Sequence, residues 1–159
     1  GITDASGVNT TYEKYARNIN SSSTYNVLTY ISSHDTKLCG RDKNTDSYDK
    51  DKLIYQGSAL QLLPGAVQIY YGDETGRKYV KHSLSAVNSI ITSGNHDVRS
   101  FMNWDSIDNE ILTHWQKVGT FRNNHISVGA GSHKTLTSTS CAAFERYYDK
   151  NGLKDKVVA

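Results

Sequence analysis

The chain has 159 residues, of which 36% are hydrophobic and 21% are charged, and its formal net charge is +2. Its basic residues are scattered rather than clustered, so we expect neither a nucleic acid nor an anionic membrane as a partner. No apolar run approaches the ~20 residues that a membrane-spanning helix needs. Cys39 and Cys141 fall in predicted segments of different kinds, and we expect both thiols to be unpaired.

The first predicted elements are a short helix and a buried strand. Tyr12, Tyr15 and Ala16 share one face of a helix over 11–18. Residues 26–32 then form a β-rich, nearly continuous apolar run, which is typical of a parallel strand covered on both faces. A charged loop over 37–50 follows this strand.

The middle of the chain predicts a βαβ unit. Asp51 is a suitable N-cap for a helix with leucines at helical spacing, and Pro64-Gly65 ends that helix. Residues 66–71 predict the next buried strand, so strand, helix and strand imply a right-handed crossover and a parallel sheet. A long irregular stretch follows over 75–103, with one possible helix near 84–91. A loop of this length in a compact domain is usually functional.

The last third of the chain changes from helix to antiparallel strands. Asp108 can cap a helix over 109–122. From Lys134 onward the pattern predicts short strands at 136–140, 141–148 and 156–158. The Asn-Gly pair of the turn at 149–152 is a strong hairpin signal. We therefore expect an antiparallel β-domain to begin near 125–134.

Acidic side chains follow both strands of the predicted βαβ unit. His34-Asp35 comes after the first strand and Asp73-Glu74 after the second. Working residues of barrel enzymes lie at these carboxyl ends of the strands, and sugar hydrolysis needs carboxylates beside the glycosidic bond. Both pairs are candidates, although for Asp73 and Glu74 we favour a role in capping the following loop.

Two segments of this unit carry a specific pattern. They read Tyr30-Ile31-Ser32-Ser33-His34-Asp35 and Leu63-Pro64-Gly65-Ala66-Val67-Gln68-Ile69-Tyr70-Tyr71-Gly72-Asp73-Glu74. This pattern resembles the last two barrel strands of the α-amylase family, glycoside hydrolase family 13. The resemblance implies an α/β fold, a partial (β/α)8 TIM barrel with the last two βα units, followed by part of an antiparallel β-domain. Residues 1–130 would belong to the catalytic barrel and 131–159 to the truncated C-terminal domain.

The resemblance also implies roles for individual residues. Asp35 would be the carboxylate that stabilises the oxocarbenium-like transition state, and His34 would contact the same sugar. A third segment, Arg99 to Asp105, looks like the family's Arg-x-x-Met-x-Trp loop, where relatives place an Arg and a nearby acid at sugar subsites. Arg99 is therefore a candidate for a sugar-hydroxyl contact, with Asp97 or Asn95 beside it. A salt bridge from Arg99 that supports its loop explains the residue equally well.

Two groups that hydrolysis needs are missing from the matching segments. The family's nucleophilic Asp and acid/base Glu lie on earlier strands, in motifs of the Gly-x-Arg-x-Asp type that this sequence lacks. A retaining glycosidase needs two carboxyl groups ~5 Å apart, and a complete barrel takes about 250 residues. We therefore expect an inactive fragment whose parent is a retaining α-glucan hydrolase that cleaves α-1,4-glucosidic bonds of starch-like polysaccharides. Alternatives are a fragment of a cyclomaltodextrinase, oligo-1,6-glucosidase or transglycosylase, or of a non-catalytic family member that binds sugar.

The expected partners are an α-glucan and the remainder of the parent chain. We expect no cofactor within this segment. Calcium is possible in the parent, since the calcium sites of the family are built mainly from earlier parts of the chain. Five histidines lack metal-ligand spacing, namely His82, His96, His114, His125 and His133. Chloride-activated relatives carry Asn where Ser33 stands, so we expect no chloride dependence. Secretion is the expected localisation of the parent.

Overall fold

The computed structural model describes residues 5–21, 26–80 and 93–159. The helix predicted near 84–91 and His82 lie outside these residues. Elements follow in the order α1 (Ala5–Ser21), β1 (Leu28–Thr29), β2 (Arg41–Asp42), β3 (Ser47–Tyr48), α2 (Lys50–Leu62), β4 (Ala66–Val67), two 3₁₀ helices (Ser93–Val98 and Trp104–Ser106), α3 (Asn109–Asn124), α4 (Ile126–Ala130), β5 (Ser132–Thr135), β6 (Phe144–Lys150) and β7 (Leu153–Val158).

The chain divides into two compact units. The sheet unit comprises the described parts of 1–28, 62–66 and 120–159, and the helix-pair unit those of 29–61 and 67–119. No helix in the described ranges is long and apolar enough to cross a membrane. The predicted division at residue 130 stays a prediction.

Both strands of the predicted βαβ unit are much shorter than expected. β1 and β4 pair with each other, and Ala66 N donates to Val27 O (2.8 Å) and Gln68 N to Thr29 O (2.9 Å). These two bonds advance in the same direction along both strands, as in a parallel pair. Leu28 and Ile69 are exposed rather than covered. The strands are short because no further strand flanks this pair among the described residues, so each strand has one hydrogen-bonded edge.

Helix α2 begins two residues earlier than the sequence suggested. Asp49, not Asp51, caps it, because Asp49 Oδ1 accepts the Lys52 amide (2.9 Å) and its carbonyl accepts the Leu53 amide (3.1 Å). Asp51 lies inside the first turn. The predicted charged loop before the helix also contains structure, since β2 and β3 form an antiparallel hairpin. Asp46 makes that tight turn possible with a positive φ of 51°.

Helices α2 and α3 form the main core of the helix-pair unit. Its fully packed members are Leu53, Leu60, Ile111 and Trp115. Gly57 lets the two helices approach closely, because a Cβ there would lie 2.5 Å from Trp115 Cε2. Trp115 Nε1 donates to Leu53 O (3.0 Å), so the indole nitrogen is satisfied inside the core.

Asp108 caps α3 as predicted. Its Oδ1 accepts the amides of Glu110 (3.1 Å) and Ile111 (3.4 Å). Its Oδ2 accepts the Tyr48 hydroxyl at 2.7 Å. The capping carboxylate thus also fastens the β2–β3 hairpin to the start of α3.

The sheet unit contains the antiparallel sheet β5-β6-β7, in that order. The β6–β7 hairpin is confirmed, with Asn151 at φ 55° and Gly152 at φ 79°, as a two-residue primed turn requires. The predicted strand at 136–140 is wrong. Pairing begins earlier, at Ser132, where Asn20 of α1 bonds both the amide (2.7 Å) and the carbonyl (3.1 Å) of His133.

Aromatic rings and one arginine fill the interior of the sheet unit. Tyr12 of α1 and Phe144 of β6 lie 5.6 and 5.4 Å from the His133 ring, centroid to centroid. Arg146 is fully buried and donates to the carbonyls of Ser127, Val128 and Gly131. Burial and the neighbouring Arg146 lower the pKa of His133 to about 4.

Candidate active site

His34 and Asp35 project from a tight turn that follows β1. The Ser33 hydroxyl at its base is buried, accepts the Asp35 amide (3.2 Å) and bonds the Thr36 hydroxyl (3.1 Å). The Thr36 amide donates to Ser33 O at 3.4 Å. The backbone of the turn is therefore held from below while its two functional side chains face outward.

Three of the predicted site residues meet at this turn. His34 Nε2 lies 3.1 Å from Asp35 Oδ2, and Arg99 Nη2 lies 4.0 Å from Asp35 Oδ1. The side chains of His34, Asp35 and Arg99 are 59%, 73% and 35% exposed. An imidazole, a carboxylate and a guanidinium from segments more than sixty residues apart thus share one accessible surface.

Asp97 lies in a different environment. It is buried, and its Oδ2 is 3.6 Å from Lys43 Nζ. It lines a cavity of about 350 Å³ together with Lys37, Arg41, Asp42, Lys43, Tyr79 and Val98. The structure therefore pairs Asp97 with a lysine of the β2–β3 hairpin. The side chain of Asn95, the alternative at this position, lies outside the described set.

The segment after the turn is fastened at its far end by two buried side chains. Ser32 Oγ accepts the Cys39 amide at 3.0 Å. The Tyr79 hydroxyl accepts the Leu38 amide (2.8 Å) and donates to Leu38 O (3.4 Å). Leu38 and Tyr79 are also packed with Val98 in a second apolar cluster.

Arg41 joins this segment to the residues that follow β4. Its Nη1 donates to Cys39 O (2.8 Å) and Asp73 Oδ1 (2.6 Å), its Nη2 to Gly72 O (2.6 Å), and its Nε to Arg77 O (3.0 Å). Both side chains of the Arg41–Asp73 ion pair are fully buried. Burial raises the pKa of Asp73, and Arg41 opposes that rise.

Arg77 joins the end of the Tyr70-Tyr71 segment to the segment that carries Arg99. Its Nη1 donates to Val98 O (3.0 Å) and to the carbonyl (3.3 Å) and hydroxyl (2.5 Å) of Ser100. Its Nε donates to Tyr71 O (2.7 Å), and the guanidinium carbon lies 3.9 Å from the centre of the Tyr71 ring. Arg77 is almost completely buried, and two of its carbonyl acceptors, Val98 O and Ser100 O, flank Arg99 on either side.

Sequence reasoning missed Arg41 and Arg77. Both are single arginines in stretches that read as irregular and charged, and no periodicity marks them as buried. Asp73 and Glu74 were expected to serve the loop, and Glu74 Oε2 does accept the Gly72 amide at 3.0 Å. The signal that existed was the Gly-Asp-Glu run itself, whose first acid is the buried partner of Arg41.

The described residues contain no group of three or more His, Cys, Asp and Glu side chains that could hold a metal ion. Both cysteines are free. Two large aromatic side chains of the loop after Arg99 are open to solvent, with Phe101 98% and Trp104 73% exposed. The surface of His34, Asp35 and Arg99 therefore offers charged hydrogen-bonding groups, and the loop that follows Arg99 offers exposed aromatic faces.

Comparison with known proteins identifies relatives of this chain. The chain is 34% identical over 134 residues to the periplasmic alpha-amylase of Escherichia coli strain K12, a match that covers 81% of this chain and 16% of that protein. No family model matches. The chain is thus similar to a segment of a glycoside hydrolase and spans about a sixth of its length.

Solved structures share the fold at lower identity. Cyclic α-maltosyl-(1→6)-maltose hydrolase from Arthrobacter globiformis is 21% identical with a TM-score of 0.65, covering 90% of this chain and 29% of its own. The debranching enzyme of Nostoc punctiforme is 20% identical at 0.62, covering 92% and 27%. The alpha-amylase of H. orenii is 22% identical at 0.58, covering 92% and 33%. The chain therefore spans about a third or less of each of these proteins.

This chain belongs to the α-amylase family, glycoside hydrolase family 13. The resemblance seen in the sequence motifs is confirmed. Its relatives are α-glucan hydrolases, and the neighbouring folds combine a catalytic barrel with a C-terminal β-domain. Within this chain the antiparallel sheet is present, and the partial barrel stays a prediction.

Proposed function

We propose that this chain is part of a retaining α-glucan hydrolase that cleaves α-1,4-glucosidic bonds of starch-like polysaccharides. The observation that carries the proposal is the meeting of His34, Asp35 and Arg99 on one exposed surface. In our proposal Asp35 stabilises the transition state, and His34 and Arg99 contact sugar hydroxyls. The 34% identity to a periplasmic alpha-amylase supports this reaction class.

The geometry suits these roles. An accessible carboxylate can accept hydrogen bonds from two neighbouring sugar hydroxyls and oppose the positive charge of an oxocarbenium-like transition state. The 4.0 Å separation of Arg99 from Asp35 is at the limit of an ion pair. An exposed pair of this kind contributes about 0–1 kcal/mol. Asp97 is buried and lies 3.6 Å from Lys43 Nζ, so it is a weaker candidate for a sugar contact than His34 and Arg99.

The nucleophile and the acid/base must come from elsewhere in the protein. We propose that the remainder of the parent chain supplies them, and that residues 1–159 alone do not hydrolyse glucans. Calcium, where the parent uses it, would then bind outside this segment. Export of the parent is proposed from the periplasmic relative.

The bond that is cleaved is the finer part of the proposal. The relatives of known fold include a debranching enzyme and a cyclic α-maltosyl-(1→6)-maltose hydrolase, so cyclomaltodextrinase, oligo-1,6-glucosidase and transglycosylase activities are the alternatives to test. Rates on soluble starch, pullulan and cyclomaltodextrins separate them. Starch binding without turnover would favour the non-catalytic alternative.

The test uses the full-length protein that carries this chain. Asp35→Asn should lower kcat on starch by about 10²–10³-fold or more, because it removes a charge that acts in the transition state. Its thermal unfolding midpoint should not change, because the side chain is 73% exposed. Asp51→Asn, an exposed acid of α2, is the control and should retain full activity. Unchanged turnover in Asp35→Asn would refute the assignment, and hydrolysis by residues 1–159 alone would refute the need for further carboxylates.

A further inference from the structure

Two buried arginines lie behind the candidate active site, and each fastens one of the segments that carry its charged groups. Arg41 donates to Cys39 O at the end of the segment that begins with the His34-Asp35 turn. Arg77 donates to Val98 O and Ser100 O on either side of Arg99. Neither arginine has the exposure of a substrate-binding residue.

The two arginines are connected to each other. Arg41 Nε donates to the backbone carbonyl of Arg77 at 3.0 Å. Arg41 Nη2 donates to the carbonyl of Gly72, and Gly72 also packs against the Arg77 side chain. A Cβ on Gly72 would lie 2.5 Å from Arg77 Nε, and the φ of Gly72 is 87°. Gly72 therefore permits both contacts at once, and the two fastened segments share one rigid base.

We propose that Arg41 and Arg77 are positioning residues that set the separation between Asp35 and Arg99. This inference rests on the proposed function, in which these two exposed groups bind the same sugar. The Asp35 and Arg99 side chains contact solvent, so their mutual geometry depends on the backbones that carry them. Displacement of a reacting group by about 1 Å can cost about 10²-fold in rate, so a fixed base has a catalytic consequence.

The number of hydrogen-bond acceptors around each side chain explains why arginine is used at both positions. A guanidinium offers five N–H donors in a rigid plane, whereas lysine offers a single charged nitrogen on a flexible stem. Arg41 uses its donors on three carbonyls and one carboxylate that belong to three different segments. Lysine can keep the ion pair with Asp73 but cannot reach all of these acceptors together.

The test compares Arg41→Lys and Arg77→Lys with Arg146→Lys in the full-length protein. Arg146 is a matched control, because it is equally buried, donates to three backbone carbonyls and belongs to the sheet unit. All three variants should unfold at lower temperature. Only Arg41→Lys should lower kcat by about 10–100-fold with a smaller change in KM, and only Arg77→Lys should raise KM severalfold.

A double-mutant cycle distinguishes positioning from general destabilisation. If Arg77 acts through Arg99, then Arg77→Lys combined with Arg99→Ala should raise KM no further than Arg99→Ala alone. Additive effects on KM would overturn the proposal. If Arg41→Lys does not fold, Asp73→Asn replaces it, because that variant removes the charge that orients the Arg41 guanidinium. A smaller fall in kcat is then expected, and an unchanged kcat would overturn the role of Arg41.

Hydrogen exchange gives a readout that needs no hydrolysis. The Asp35 amide bonds Ser33 Oγ and the Arg99 amide bonds His96 O (3.1 Å). We expect faster exchange at Asp35 in Arg41→Lys and at Arg99 in Arg77→Lys, with neither amide affected in Arg146→Lys. A wild-type protein that does not cleave starch would refute the proposed function, whereas unchanged exchange at both amides would refute the positioning role.

Discussion

Acid should destabilise the sheet unit through one buried histidine. His133 is 3% exposed, and neither of its ring nitrogens has a hydrogen-bond partner among the described residues. Two aromatic rings and the Arg146 cation surround it, and its pKa is lowered from 6.5 to about 4. The folded chain therefore holds this histidine neutral between these values, where the unfolded chain protonates it.

The sign and size of the effect follow from this difference. Above pH 6.5 both states are neutral and His133 has no influence, whereas the free energy of unfolding falls as the pH drops from 6.5 through 4. At about pH 4.5 the loss is roughly 2.5 kcal/mol relative to neutral pH. A domain with a total stability of about 5–15 kcal/mol would register such a loss clearly.

Urea unfolding followed by far-UV circular dichroism can measure this loss in the wild type and in His133→Phe. Phenylalanine keeps an aromatic ring between Tyr12 and Phe144 and cannot be protonated. The difference between the two proteins cancels the titration of the carboxylates that both contain. We expect the variant to lose about 2.5 kcal/mol less than the wild type between about pH 7 and about pH 4.5. An equal pH dependence, or a His133 titration near 6.5 by NMR, would refute this reasoning.

Three further predictions concern the helix-pair unit. Arg99→Ala should raise KM for maltooligosaccharides about tenfold with little change in kcat, as measured by steady-state kinetics; a loss of fold instead would show that Arg99 supports its loop. Gly57→Ala should cost about 1–3 kcal/mol in urea unfolding, because the new methyl group overlaps the Trp115 indole. A gain in stability instead of a loss would contradict the packing explanation, because alanine is the better helix former where space allows. Asp49→Ala should lower the free energy of unfolding by about 1 kcal/mol because the N-cap is lost, and Asp51→Ala should lower it much less. The reverse order would show that Asp51 is the cap, as the sequence suggested.

Sequence patterns predicted the local signals of this fold well. Asp108 caps α3, and Asn151-Gly152 closes a hairpin, because each depends on the chemistry of one or two residues. The cap of α2 was misplaced by two positions, since three acids within 46–51 compete for the role and only the fold selects Asp49. Strand lengths were overestimated because the apolar runs at 26–32 and 66–71 need neighbours on both edges to pair along their whole length.

The exposed part of the candidate site could be predicted, and its support could not. His34, Asp35 and Arg99 stand in recognisable motifs, and the structure brings them together. Arg41 and Arg77 stand in no motif. They can be buried because four separate segments contribute the carbonyls that accept their N–H groups. A sequence pattern reports which face of one element is apolar, but it does not report where backbone acceptors from different loops converge.

The two tryptophans of this chain are natural fluorophores in opposite surroundings. Trp115 is 3% exposed and bonded inside the α2–α3 core, whereas Trp104 is 73% exposed in the loop that follows Arg99. Emission from the first should be blue-shifted and resistant to iodide, and emission from the second should be red-shifted and readily quenched. One chain without any label can therefore report separately on the integrity of its core and on what approaches the loop beside Arg99.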